Sequence, residues 1–203
     1  MSNGLLLLVS APSGAGKTSL VKAALEADSR LVVSVSHTTR PQRPGEVDGV
    51  NYHFVEPATF TEMIKADAFL EHADVFGNHY GTARATVEDL QAADRDVILE
   101  IDWQGAAQVR ALIPDAISIF ILPPSIAALE ARLTGRAQDS LETINKRLAE
   151  ARLEMSQASH FDFLVMNDDF DTALNELLTI VRAQRLRTAT QIKNPPIAAV
   201  LSE

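Results

Sequence analysis

The sequence predicts an α/β fold, a three-layer arrangement of a parallel core sheet with helices on both faces and a small mixed segment inserted after the second strand. Three observations carry this expectation. Short apolar runs recur along the chain, each closed by a turn or a change of residue type. Helical stretches separate them, and strands alternating with helices build parallel sheets. Between about residues 36 and 93 the alternation stops and turn formers accumulate.

Leu5-Leu-Leu-Leu-Val9, closed by Ser10-Ala-Pro-Ser-Gly14, reads as a buried first strand. A helix is expected from Thr18 to Ala27 and a second strand over Leu31–Val35. In the inserted segment Pro41, Pro44, Gly45 and Gly49 mark turns, Pro57 to Asp67 reads as a helix, and short polar-aromatic strands fall near Tyr52 and from Phe69 to Phe76. The core pattern returns with a strand at Val97–Ile101 and a helix at Gln104–Leu112. Ile117–Leu122 is the next strand, stopped by Pro123-Pro124. Helices over Ser125–Leu133 and Ser140–Gln157, a last strand at Phe163–Met166 and a closing helix from Thr172 to about Thr188 complete the series. No repeat, low-complexity tract or linker splits the chain, and residues 192–203 carry no readable signal.

At 203 residues, 46% hydrophobic and 22% charged, the chain has material for one core with a small lobe or two. No apolar run is long enough to span a bilayer, and Leu5–Val9 lacks the basic flank of a signal peptide, so a cytoplasmic protein without membrane contact is expected. The absence of cysteine excludes disulfides, thiolate nucleophiles and cysteine-ligated zinc or iron–sulfur sites. Five histidines show no helical metal-ligand spacing, and His37, His53 and His79 read as packing or surface residues. A hard metal held by carboxylates and phosphates stays open. The net charge of −9 argues against nucleic acid as the main partner, but not against small anions met by locally gathered Lys and Arg.

Ala11-Pro12-Ser13-Gly14-Ala15-Gly16-Lys17-Thr18, followed by Ser19, lies between a predicted strand and a predicted helix. It matches the phosphate-loop pattern G-x-x-x-x-G-K-[ST] except at Ala11, which is harmless if its φ is negative. Glycines let the backbone curl so that successive N–H groups face a phosphate, and the helix N-terminus adds a favourable dipole. Lys17 supplies charge for the β- and γ-phosphates, and the Thr18 hydroxyl can ligate magnesium. The core is therefore expected to be of the P-loop NTPase type, with ATP bound at residues 11–19.

Further blocks carry a more specific signal: Ser34-Val-Ser-His-Thr-Thr-Arg-Pro-Gln-Arg-Pro-Gly-Glu-Val-Asp-Gly-Val-Asn-Tyr52, Phe69-Leu-Glu-His-Ala-Asp-Val-Phe-Gly-Asn-His-Tyr-Gly-Thr82, Leu99-Glu-Ile-Asp-Trp-Gln-Gly105 and Asn167-Asp-Asp. With these the chain resembles the guanylate kinases, P-loop enzymes that move the γ-phosphate of ATP onto GMP, over nearly its whole length. The resemblance implies a core of residues 1–35, 94–133 and 158–203, a GMP-binding lobe of 36–93 and a helical lid of 134–157. It assigns Arg40, Arg43, Tyr52 and Tyr80 to the GMP phosphate, and Ser36, Glu71 and Thr82 to the base. The chemistry agrees: a carboxylate can accept from guanine N1–H and N2–H₂, and hydroxyls can donate to O6. Adenine would leave Glu71 unpaired, which a hydrogen-bonding site rejects strongly. Arginine forks suit phosphate oxygens.

Glu100 and Asp102 end an apolar strand on the same face and point towards the ligand edge. The resemblance places Glu100 and Asp102 among the GMP-binding residues and favours Asp102 for magnesium, through water, and for orienting the arginines on the GMP side; Glu100 stands where many relatives carry aspartate. Arg132 and Arg136 share a helix face in a segment that resembles the family's lid, where Ala137 replaces a frequent glycine. Arg147 and Arg152 border the apolar stripe of the next helix. The resemblance makes Arg147 catalytic with Lys17 and Arg136, and puts Asn167 and Arg132 on the ATP side. Magnesium is the expected cofactor, while dGMP as a second acceptor and a homo-oligomer are left open.

Overall fold

The computed structural model describes residues 4–75, 77–134, 141–192 and 194–202; of 141–145 only the backbone is described. The expected element order is present. Five strands, β1 (Leu6–Ser10), β2 (Leu31–Val33), β7 (Asp96–Glu100), β8 (Ile117–Leu122) and β9 (Phe163–Met166), form a sheet in the order β2-β7-β1-β8-β9. Every pairing in it is parallel, with Leu8 opposite Leu99 on one side and Ser118 on the other.

Central β1 is buried throughout, which is why it reads as an unbroken apolar run rather than an alternation. Alternate residues serve opposite layers. Leu7 and Val9 pack with Leu20 and Val21 of α1 (Lys17–Ala27) and with Leu177 and Val181 of α7 (Phe170–Arg185). Leu6 and Leu8 pack with Val109 of α4 (Trp103–Leu112) and Val87 of α3 (Arg84–Ala92). A third cluster joins Leu129 and Leu133 of α5 (Ile126–Thr134) to Leu148, Ala151 and Met155 of α6 (Leu141–Ser156).

The inserted segment forms a second, four-stranded sheet in the order β4-β3-β6-β5, built from β3 (His37–Thr38), β4 (His53–Phe54), β5 (Phe69–Val75) and β6 (Asn78–Ala83), with α2 (Pro57–Lys65) beside it. Phe60 of α2 stacks on Phe69, with ring centroids 4.5 Å apart. Helix α2 stops two residues before the expected Asp67, which adopts φ +50° and cannot continue it. β3, β6 and α3 have no counterpart among the expected elements, and Val87 of α3 packs in one cluster with Leu6, Leu8 and Leu99 of the parallel sheet and Leu70 of β5.

The last strand ends as expected. α7 starts at Phe170, earlier than Thr172, because Asp169 caps it by accepting from the Thr172 N–H at 2.8 Å. After Arg185 come two short helices, α8 (Thr188–Gln191) and α9 (Pro195–Leu201), the second opened by its prolines. Among the described residues no helix is long and apolar enough to cross a membrane.

Candidate active site

The loop between β1 and α1 is shaped by its glycines. Gly14 and Gly16 hold φ of +90° and +95°, which other residues adopt only with strain. A side chain on Gly16 would also lie 2.3 Å from Asn167 Nδ2. Ala11 is not among the residues with positive φ, so its departure from the glycine pattern costs no strain. Asp102 caps α4 and Asp169 caps α7, whereas α1 begins at Lys17 behind Gly16 with no side-chain cap. Its first-turn N–H groups thus meet the cavity without a capping oxygen, where a phosphate can take that place.

Asn167 and Arg132 hold the loop from behind. Asn167, buried after β9, donates from Nδ2 to the Ala15 carbonyl at 2.7 Å. Arg132 donates to the Asn167 carbonyl at 3.0 Å and to the Ala15 carbonyl at 3.4 Å. With the outward carbonyl fixed, the curl of the loop is fixed too.

Lys17 is half-buried at the cavity wall, and desolvation pushes its ammonium below the usual lysine range. Glu100, Asp102, Glu154 and Glu71 pull in the opposite direction. Glu100 reaches the loop directly: its Oε2 accepts from the Thr18 hydroxyl at 3.0 Å. Asp102 Oδ1 accepts from the Gly105 N–H at 2.7 Å. Glu154 of α6 accepts from the Ser13 backbone N–H, and burial raises its carboxyl above the usual range. Glu154 was not singled out by the sequence, where it reads as an ordinary charge beside an apolar stripe; its spacing of seven from Arg147 puts both on one helix face and was the available signal.

Glu71 owes its position to a β-bulge. Phe69 pairs with Ala83 but Glu71 pairs with Thr82, so Leu70 is an extra residue in the ladder. The irregularity lets three successive residues, Phe69, Leu70 and Glu71, all be buried. Glu71 Oε1 accepts from the Thr82 hydroxyl at 2.6 Å. Burial pushes its carboxyl up, against that hydrogen bond. The single Thr82 proton is thereby committed to Glu71.

Tyr52 and Tyr80 meet edge to face at 5.8 Å, and the Arg40 guanidinium lies 5.5 Å over the Tyr52 ring. Arg40 also pairs with Glu46 at 2.7 Å and bonds to Tyr80. Arg43 sits on the exposed loop, where its backbone N–H donates to Glu46 Oε2 at 2.7 Å. Glu46 thus organises both arginines, a role the sequence did not reveal.

Two cavities adjoin here. One, of about 360 Å³, is lined by residues 11–14 and 16–19 with Ile101, Asp102 and Glu154. The other, of about 450 Å³, is lined by Ser36, Tyr52, Glu71, Tyr80 and Glu100, together with Ser13, Lys17, Ile101 and Asp102. Lys17, Ser13, Ile101 and Asp102 line both. Thr82 stands directly behind Glu71, and Arg40 beside Tyr52; Arg43, Arg132 and Asn167 do not line either cavity. Arg147 lies half-buried on α6. Arg136 and Ala137 fall outside the described residues.

A family model described as "Guanylate kinase" matches residues 3–184. The chain is similar to a guanylate kinase of Hahella chejuensis, 59% identical over 191 residues that cover 94% of this chain and 92% of that one. It is 58% identical to a guanylate kinase of Escherichia coli K12 over 193 residues, 94% and 93% of the two chains. A crystal structure of guanylate kinase from Anaplasma phagocytophilum superimposes with a TM-score of 0.76 at 34% identity, covering 92% of this chain and 89% of that one. The SH3-kinase fragment of tight junction protein 3 shares the fold alone, at 14% identity and a TM-score of 0.52.

Proposed function

Because the chain belongs to the guanylate kinase family and is an ATP:GMP phosphotransferase, we propose how its own residues divide that reaction. ATP lies with its phosphates in the loop of residues 11–19, its adenine end towards Arg132 and Asn167. GMP lies with its base at Ser36, Glu71 and Thr82, and its phosphate at Arg40, Arg43, Tyr52 and Tyr80. The observation that supports this most is the sharing of Lys17 and Asp102 between the two adjoining cavities. Two polyanions entering from opposite ends meet at one ammonium.

A phosphate oxygen of GMP forms the new bond to the γ-phosphorus while the bond to the bridging oxygen of ADP breaks. The attacking oxygen is already anionic, so no general base is needed. Catalysis then consists of holding the two ends in line and neutralising charge as the phosphoryl group passes, by Lys17, Arg136 and Arg147. Exclusion of water follows if lobe 36–93 and lid 134–157 close over the cleft.

Magnesium fits the donor set present. Among the described residues no group of three or more His, Cys, Asp or Glu could cage an ion. The Thr18 hydroxyl and its partner Glu100 instead offer hard oxygens, with Asp102 nearby, which suits an ion that keeps waters and phosphate oxygens as ligands. Thr18 would hold it directly, and Asp102 through water. When bound, it neutralises charge on the β- and γ-phosphates.

A coupled assay with GMP, AMP and a ribose bisphosphate tests the division of roles. Turnover is expected with GMP and not with the other two; comparable turnover of AMP would remove the base-reading role from Glu71.

A further inference from the structure

Gly105 is the third residue of α4, where alanine would be the better helix former. It is not among the glycines with positive φ, so no backbone conformation demands glycine there. What it supplies is space. A Cβ at this position would lie 2.8 Å from Glu71 Oε2 and 3.3 Å from Glu71 Cδ, closer than side-chain atoms pack. The other Glu71 oxygen is held by the Thr82 hydroxyl at 2.6 Å, and Glu71 is only 6% exposed. The carboxylate is therefore fixed between Thr82 on its own sheet and the bare backbone of α4 on the core. Meanwhile the Gly105 N–H holds Asp102 at 2.7 Å.

We infer that Gly105 is a positioning residue for guanine selection: its missing side chain is the seat that aims the Glu71 carboxylate. The inference rests on the reading of Glu71 as the guanine acceptor. Replacing Gly105 by alanine keeps the N–H and the Asp102 cap. The clash falls on the free end of a side chain, so the fold survives while the carboxylate moves. Guanine differs from hypoxanthine only in the N2 amino group, whose donation a displaced carboxylate no longer receives.

The test compares kcat/KM for GMP and for IMP in wild type, Gly105→Ala, Glu71→Gln and the double variant. Gly105→Ala is expected to lower the GMP:IMP ratio by about tenfold or more, with the KM for ATP changed by less than about twofold. Because both acceptors are measured on the same preparation, any loss of folded enzyme cancels from the ratio. Since Gly105 acts through Glu71, the double variant is expected to match Glu71→Gln alone. If Glu71→Gln lowers the ratio but Gly105→Ala does not, or if the two losses multiply, the positioning role is overturned and the Glu71 reading stands. If Glu71→Gln leaves the ratio unchanged, the reading of Glu71 itself fails.

Discussion

On the proposed division of ATP and GMP between them, the two ends of the cleft recognise their ligands by different means. At the end proposed for ATP the lining is mainly the loop of residues 11–19, joined by Ile101, Asp102 and Glu154, and its shape is fixed from behind by Asn167 and Arg132. At the GMP end it is side chains drawn from Ser36 to Thr82, and they are bonded to one another: Thr82 to Glu71, Arg40 to Glu46 and Tyr80. A backbone site needs correct curvature and one charge. A side-chain site needs each group placed separately, and GMP must exchange some internal bonds for its own. Most substitutions around the loop should therefore act through stability, whereas those in the lobe should act through selectivity.

Lys17→Ala is the largest expected effect, because it removes the positive charge that lines both cavities. Turnover should fall by about 10³-fold with the fold retained; a kcat within tenfold of wild type would refute the phosphate-loop assignment. Glu71→Gln comes next and should separate the two ends. A loss of about 10²-fold or more in kcat/KM for GMP is expected, while the KM for ATP, measured at saturating GMP, stays put. Gly16→Ala should instead cost stability, about 1–3 kcal/mol in a urea titration, from the strained φ and the contact with Asn167. Asn167→Ala removes the bond to the Ala15 carbonyl; about 1 kcal/mol of stability is expected to go with it, and equilibrium titration should show weaker ATP binding at unchanged GMP affinity.

The smallest effect concerns pH. Burial raises the Glu71 carboxyl above its unfolded value, so the folded state binds that proton more tightly. The resulting contribution favours folding in acid and is lost as pH rises through the folded value. Glu71→Gln should therefore be the more stable protein near neutrality, with the gap closing towards about pH 4. A gap that widened in acid would contradict the burial of this carboxylate.

This contrast also explains what was legible in the sequence. The loop pattern is local, and so are the apolar strands and the Asp102 cap, so residues 11–19 and the sheet could be read directly. Grouping Ser36, Tyr52, Glu71 and Tyr80 needed resemblance to a family, because no periodicity joins residues on separate strands. The bulge at Leu70 lies beyond such reading: simple alternation sets Phe69 and Glu71 on one face and sends Leu70 to the other. Strand β6 carries Asn78, His79 and Gly81, a poor strand composition, and is held in place by its pairing with β5. Helix α3 shows only Val87 and Leu90 as its apolar spacing. Glu46 and Glu154 look like surface charges until the chain folds.

The central claim is that the Lys17 ammonium and the buried Glu71 carboxylate face the two ends of a shared cleft. A crystal structure with GMP and a non-hydrolysable ATP analogue measures this directly. The account predicts Glu71 oxygens within hydrogen-bond distance of guanine N1 and N2, and the Lys17 ammonium against the β- and γ-phosphates. A guanine lying away from Glu71, or a triphosphate that left Lys17 without contact, would contradict it.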